Sequence, residues 1–388
     1  MIFTTSFPRR RESSQSNKHR AAGQFGFVRF AGFLNSWIPA CAGMTVRHVL
    51  RLFALLGLFS LSACGKEPLY QEQGYVFGTL VEVSIYGESE ARAKLATAAV
   101  MQEFQRLHDL LHAWKPSELS ELNAAFARGE GKVVTPELAA MLEDAAQLSQ
   151  QSQGLFNPAI GGLVAVWGFH ADEFKPVQPD EKLIAQWLAA NPQMSDITFA
   201  AGQAISRNKA VQLDLGGYAK GYALDRAVEL LHKQGVHNAL INIGGNIIAL
   251  GQYGKRPWRV GIQHPRKSGA LASLELQDGE AIGTSGDYQR YFMLGEQRYC
   301  HLIDPRRGRP MQGVQAVTIL THGAHAGVLS DVASKPLFIN GIVGWRAAAA
   351  QMGLNEAMLV DAAGRIHLTG ALQKRLEFAD KNVTLQLE

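Results

Sequence analysis

Cysteine is scarce in this chain: Cys41, Cys64 and Cys300 are the three in 388 residues. So few cannot supply the disulfide framework that holds small secreted folds together. Two nucleotide loops are also missing, GxxxxGK followed by Ser or Thr and GxGxxG, which removes the P-loop and dinucleotide fingerprints. The apolar run Leu52–Leu61 is ten residues long, too short to cross a bilayer as a mature helix. No repeat, low-complexity stretch or linker divides residues 75–388. Finally, the body lacks basic charge. The formal net charge is +4, but residues 1–63 hold eight Lys/Arg against one acid, Glu12, so the remainder carries −3. A mildly acidic body excludes a nucleic-acid binder, which needs a basic patch.

The basic N-terminal region has a reading of its own. Met44-Thr-Val-Arg47-His-Val-Leu-Arg51 precedes the Leu52–Leu61 run, and Leu61-Ser62-Ala63-Cys64 follows it. A short basic region, an apolar core and small residues form a secretory signal. The cysteine at its end resembles a bacterial lipobox, which implies cleavage before Cys64 and lipidation of that residue. Residues 1–43 then read as an N-terminal extension from a misassigned start, 44–63 as the signal peptide, 64–73 as lipidated cysteine and tether, and 74–388 as one domain. Several acyl chains hold a protein on a membrane more firmly than one does. Cys300 is left as the one free thiol, so no internal disulfide is expected.

Within the body, Val76–Tyr86 alternates apolar and polar residues and predicts a strand. Val100, Phe104, Leu107 and Leu111 fall on one helical face and predict a helix over 90–112. Thr135-Pro136-Glu137 and Pro179-Asp180-Glu181 open two more helices. A further helix follows Lys220 and stops at Gly235, and another lies near 344–352. Strands dominate 256–321, after a strand, glycine turn and strand over 239–250. Strands that cluster late favour an α+β fold with mixed, largely antiparallel sheets and flanking helices over a doubly wound parallel sheet.

The most informative stretch is 214–225, Asp-Leu-Gly-Gly-Tyr-Ala-Lys-Gly-Tyr-Ala-Leu-Asp. Glycines at a strand-to-helix junction let backbone approach a ligand. The helix N-terminus beyond them offers N–H groups to anionic oxygens, and Lys220 adds a positive charge. A glycine turn opening an ordinary helix is the plain alternative. Four further segments combine polar groups with glycines beside strand-like runs: Gly154–Phe169, Ala281–Arg290, Tyr299–Gly308 and Ala326–Lys335.

In order and spacing these motifs resemble the ApbE family, bacterial FAD:protein FMN transferases, over about residues 74–388. The resemblance implies a single ApbE-type (T-fold-like) domain. It implies FAD as bound substrate, Mg²⁺ at the diphosphate, and transfer of FMN to a threonine of an acceptor protein with release of AMP. The implied acceptors are flavin-carrying subunits of a membrane NADH:quinone oxidoreductase or a related redox pump. These suit a periplasm-facing, lipid-anchored enzyme on the inner membrane, although Gly65 after Cys64 leaves outer-membrane sorting open. By the same resemblance, Asp214 and Lys220 contact FAD, the Gly217 carbonyl and Asp331 hold the metal, and His301 acts on the threonine hydroxyl. Phe77 and Trp114 lie where the family places side chains against the flavin ring, or else pack in the core. Phe156, Asn157 and Ile303 complete the implied FAD contacts, with Asn157 and Asn246 each standing where aspartate is common. Arg290 and Asp287 contact phosphate or form an ion pair. Cys300 beside His301 points to the opposite strand face.

Lys335 departs from the family pattern, which has a metal-ligating threonine there. A protonated lysine ligates no metal. Three readings stay open: Ser334 supplies the oxygen, Gly217 and Asp331 suffice with the diphosphate, or the Lys335 ammonium partly replaces the cation. Two other functions also stay open, an FAD pyrophosphatase giving FMN and AMP, and a non-catalytic FAD-binding lipoprotein.

Overall fold

A computed structural model describes residues 68–171 and 173–387. The expected lipidation site at Cys64 and the expected signal peptide lie outside them. The chain first forms a hairpin, β1 (Leu69–Val76) against β2 (Thr79–Tyr86). The alternation over Val76–Tyr86 predicts one strand, but Phe77 and Gly78 turn the chain with φ of +55° and +69°. Two left-handed residues make the tight turn whose twist matches the flanking strands. β1 starts at Leu69, inside the stretch read as tether.

β3 (Ala239–Ile243), β4 (Asn246–Leu250), β5 (Ala281–Gly286), β6 (Val314–Thr321), β7 (Ala357–Asp361), β8 (Ile366–Leu368) and β9 (Leu385–Leu387) extend the hairpin into a nine-stranded sheet. Its spatial order equals its chain order. Neighbours run antiparallel except β8 and β9, which are parallel. The fold is therefore α+β, with mixed, mostly antiparallel sheets.

The helices are α1 (Glu90–Leu110), α2 (Glu118–Arg128), α3 (Pro136–Gln151), α4 (Gly161–Val166), α5 (Glu181–Ala190), α6 (Ala219–Lys233), α7 (Ala326–Val332), α8 (Ser334–Gln351) and α9 (Gly370–Gln373). Ser89, Thr135 and Asp180 cap α1, α3 and α5 through their side chains, as their sequence positions predict. The α2 helix, absent from the sequence expectations, carries a capping box between Ser117 and Ser120 and buries Leu119, Leu122, Ala125 and Phe126 at helical spacing. α8 is longer than the stretch predicted near 344–352. It is broken at Gly341, whose φ is +60°, and it begins early enough that Pro336 falls in its first turn, where proline is tolerated.

One face of the sheet buries Val81, Val83, Ile85, Ile241 and Ile243 against α1 and α6. The other buries Ile247, Ile282 and Leu320 against a small sheet containing Trp258 and Leu274. Burial of each large aliphatic side chain is worth about 1.5–3 kcal/mol. β6 is covered on both faces, so all eight of its residues are buried. A separate core of Leu163, Trp167, Phe169, Ile184, Phe292 and Ile303 packs under the His301 loop.

Candidate active site

The 214–225 turn is pinned from behind. Asn123 donates from Nδ2 to the Leu213 carbonyl at 2.9 Å and accepts the Leu213 N–H at 2.7 Å. The Tyr218 hydroxyl donates to Asp144 at 2.7 Å, and burial followed by that carboxylate raises the phenol's pKa. The backbone N–H groups here are largely spent inside the protein. Gly216 donates to Asp214 Oδ1 at 2.8 Å. Tyr218 and Ala219 both donate to the Leu215 carbonyl. Gly221 donates to Asp331 Oδ2 at 3.1 Å. The expected row of free N–H donors for a phosphate is thus corrected: a carboxylate of the protein already occupies the start of α6.

Close helix packing brings that carboxylate in. A Cβ on Gly221 would stand 2.4 Å from the Gly327 carbonyl oxygen, and one on Gly327 would stand 2.5 Å from the Gly221 carbonyl oxygen. Only glycine permits this backbone contact of α6 with α7. Asp225 fastens it, accepting the Gly327 N–H at 2.8 Å and the Val328 N–H at 2.9 Å. Burial pushes the Asp225 carboxyl up to about 6, against those two bonds.

Asp331 is 2% exposed and meets two lysines. Lys220 Nζ lies 3.2 Å from Oδ1 and 3.3 Å from Oδ2. Lys335 Nζ donates to Oδ1 at 2.7 Å and to the Asp331 carbonyl at 2.5 Å. Burial opposes the charge on Asp331, but Lys220 and Lys335 outweigh it and hold the carboxyl at about 2. Burial pulls Lys335 down to about 8 although Asp331 supports its charge. Asn246 also faces Asp331, but its buried Nδ2 reaches no partner in hydrogen-bond geometry.

His301 sits in the loop after the strand Gln297–Cys300. Its N–H bonds the Arg290 carbonyl at 3.1 Å, and its Nδ1 lies 3.3 Å from the same oxygen. A carbonyl only accepts, so Nδ1 carries the proton and Nε2 keeps a lone pair. The residue is half-buried, yet protein packs densely about its ring. That burial, then Arg290, Lys220 and Lys335, push its pKa down to about 3. The Arg290 guanidinium lies over the Phe174 ring at 5.2 Å. Asp287 does not pair with it. Asp287 instead binds Arg266 at 2.7 and 2.6 Å.

The other expected contacts divide. Phe156 reaches Gly217, its Cε2 being 3.6 Å from where a Cβ would stand. Phe77, in its left-handed turn, packs on Phe104 and His108 with centroids 6.2 and 5.8 Å apart. Its neighbour Thr79 fills the space beside Gly244, in the turn that leads to Asn246. Trp114 packs against the His170 ring, tilted, with centroids 5.3 Å apart, and the Phe169 ring lies 6.4 Å from His301. Asn157 uses its side chain on the Pro192 carbonyl and the Ala159 N–H, so it shapes the loop. Ile303 belongs to the core under His301. Cys300 is 1% exposed and burial pushes its thiol up to about 12, so it is no nucleophile. A cavity of about 350 Å³ beside Trp167, Tyr299 and Arg307 contains none of the expected FAD or metal residues.

The donor set does not fit the expected Mg²⁺. Position 335 presents an ammonium to Asp331, and its Cε stands 2.7 Å from a Cβ position on Gly217. Ser334 cannot substitute, because its hydroxyl is buried between Ser285 and the Asp331 carbonyl at 2.7 and 2.8 Å. Among the described residues, no group of three or more His, Cys, Asp or Glu converges as metal ligands. Sequence reasoning missed Asn123 and Asp144, which hold the turn from distant helices; nothing local in their segments marks that role.

The ApbE family model matches residues 77–359. A curated relative from Rhodobacter capsulatus, called FAD:protein FMN transferase, is 44% identical over 80% of this chain and 59% of its own length. Another of that name, from Treponema pallidum, is 29% identical over 86% of this chain and 95% of its own. The crystal structure of the ApbE protein of Thermotoga maritima superposes with a TM-score of 0.72 at 27% identity, covering 79% of this chain and 99% of that one. The flavinyl transferase ApbE of Pseudomonas stutzeri gives 0.70 at 25% identity, over 80% and 98%. With the model match spanning most of the chain, this protein belongs to the ApbE family.

Proposed function

We propose that this protein transfers FMN from FAD to a threonine hydroxyl of an acceptor protein and releases AMP. The observation that carries this reading is a histidine, His301, whose Nδ1 is held on the Arg290 carbonyl among an excess of positive charge. His301 faces Arg290, Lys220 and Lys335, while Asp331 offsets one of the three. Such a site suits an anionic diphosphate and a group that must take a proton next to it. The threonine oxygen attacks the phosphorus on the riboflavin side, the bond from that phosphorus to the AMP phosphate oxygen breaks, and Nε2 of His301 takes the hydroxyl proton. The lysines stabilise the charge left on AMP. In this reading Phe77 and Trp114 are the aromatic side chains set against the flavin ring. Lys220 orients the diphosphate end, and Asp214 contacts FAD away from the phosphates. Diphosphate charge entering the site opposes the three cations, so it raises His301 towards its ordinary range just when a base is needed. The Mg²⁺ implied by the resemblance is not part of this reading.

The acceptors follow from the same reading: flavin-carrying subunits of a membrane NADH:quinone oxidoreductase or a related redox pump. The anchor at Cys64 places the enzyme on the periplasmic side of the membrane with them. Labelling with radioactive palmitate tests the anchor; label surviving Cys64→Ser would refute it.

To test the activity, the protein is incubated with FAD and a threonine-containing acceptor subunit, and acceptor mass and free FMN are measured. An acceptor heavier by FMN less water supports transfer. Free FMN with unmodified acceptor replaces this reading by a pyrophosphatase. Intact FAD with neither product refutes both.

A further inference from the structure

Where the family resemblance expects a divalent cation, this chain carries one of its own. Lys335, at the start of α8, reaches back four residues to Asp331 near the end of α7 and bonds both the carboxylate and the carbonyl. Its stem lies against Gly217, the residue whose carbonyl the resemblance assigns to the metal. Lys220 closes the next side of the same carboxylate and also touches the Gly216 carbonyl at 3.2 Å. An Mg²⁺ needs carboxylate oxygens at about 2.0–2.1 Å in near-octahedral array. Oδ1 cannot offer that while an ammonium donates to it. Two ammoniums serve one carboxylate, so the cluster holds a surplus positive charge, and the Arg290 guanidinium adds another without an acidic partner among the described residues. That surplus matches the two negative charges of an FAD diphosphate.

We propose that the Lys335 ammonium permanently replaces the divalent cation, so that this protein binds FAD and transfers FMN without metal. The inference rests on the FMN-transfer reading and names the cation that serves it. In the step itself, the threonine Oγ–P bond forms as the P–O bond to AMP breaks. The electron pair leaves on the AMP oxygen beside Lys335 and Lys220, and the hydroxyl proton goes to His301. No further reactant is required.

The test uses full-length protein in detergent, stripped with EDTA. FAD affinity is read from flavin fluorescence, Mg²⁺ binding by calorimetry, and transfer by acceptor mass. The expected result is no Mg²⁺ binding heat, FAD affinity changed by less than about twofold between EDTA and millimolar Mg²⁺, and undiminished transfer in EDTA. Lys335→Thr should bind FAD at least about tenfold more weakly in EDTA and recover with Mg²⁺. If the native protein loses FAD binding or transfer in EDTA and regains it with Mg²⁺, the inference fails while the transferase reading stands. FAD affinity of Lys335→Thr that ignores Mg²⁺ also overturns it. If the variant does not fold, the native titration decides alone. Failure to transfer under either condition sinks the transferase reading instead.

Discussion

Replacing Gly221 by alanine would place a methyl carbon 2.4 Å from the Gly327 carbonyl oxygen and 2.7 Å from the Val328 Cα. Both obstacles are backbone, so no side chain can swing aside. The shortfall from ordinary contact, which begins at 3.4 Å, is about 1 Å. α6 and α7 must part by that much or tilt. Overpacking of this kind costs about 1–3 kcal/mol. Parting also stretches the Asp225 bonds to Gly327 and Val328, now 2.8 and 2.9 Å, and the Gly221 bond to Asp331, now 3.1 Å. Losing one or two of them adds about 1–2 kcal/mol. The total of about 2–5 kcal/mol corresponds to a fall in Tm of about 3–7 °C for a unit of this size. Calorimetry without FAD measures it. Gly370→Ala is the control: it opens α9 with no atom within 4 Å of the new Cβ, so its Tm should hold or rise slightly. FAD affinity should fall in Gly221→Ala alone, because Asp331 and its lysines are displaced. A Tm within 1 °C of the parent would refute the claim that this glycine contact positions the site.

Three other outcomes follow from the site. In the free protein, NMR titration should find His301 neutral well below the ordinary histidine range, and FAD should raise its pKa; an unshifted value in both states would remove the cations from its surroundings. The carboxyl of Asp331 is held at about 2 in the fold, below its unfolded value of about 3.9. Its stabilising contribution is therefore complete above the unfolded value and lost as pH falls towards 2, so urea midpoints of Asp331→Asn should decline less over that window than the parent's; parallel declines would contradict the shift. Phe77 spends about 1–2 kcal/mol on its left-handed backbone, which Phe77→Gly recovers while losing the ring contacts. That variant should keep its Tm within a few degrees and bind FAD at least about tenfold more weakly; unchanged affinity would return Phe77 to a packing role.

Much of this protein could be read locally. Thr135 and Asp180 each announced a helix start, because a capping side chain and the helix it caps are neighbours in sequence. The hairpin at Phe77-Gly78 is not evident in the sequence because β1, Leu-Tyr-Gln-Glu-Gln-Gly-Tyr-Val, is mostly polar. α2 is legible by the same periodicity as α1, with Leu119, Leu122, Ala125 and Phe126 at helical spacing. Lys335 was visible as a departure, but its consequence was not: the same lysine could have turned to solvent.

The order of motifs and their residue types, written in the chain, determined family and fold class. Local chemistry determined the helix starts, since those interactions span three or four residues. Tertiary structure alone decided what the charges do to one another. Asp331 meets Lys220 across 111 residues because two glycines let α6 and α7 touch backbone to backbone. The His301 pKa is lowered by burial and by cations that are distant in sequence. Such effects depend on distance in space and on dielectric surroundings, neither of which a linear order of residues contains.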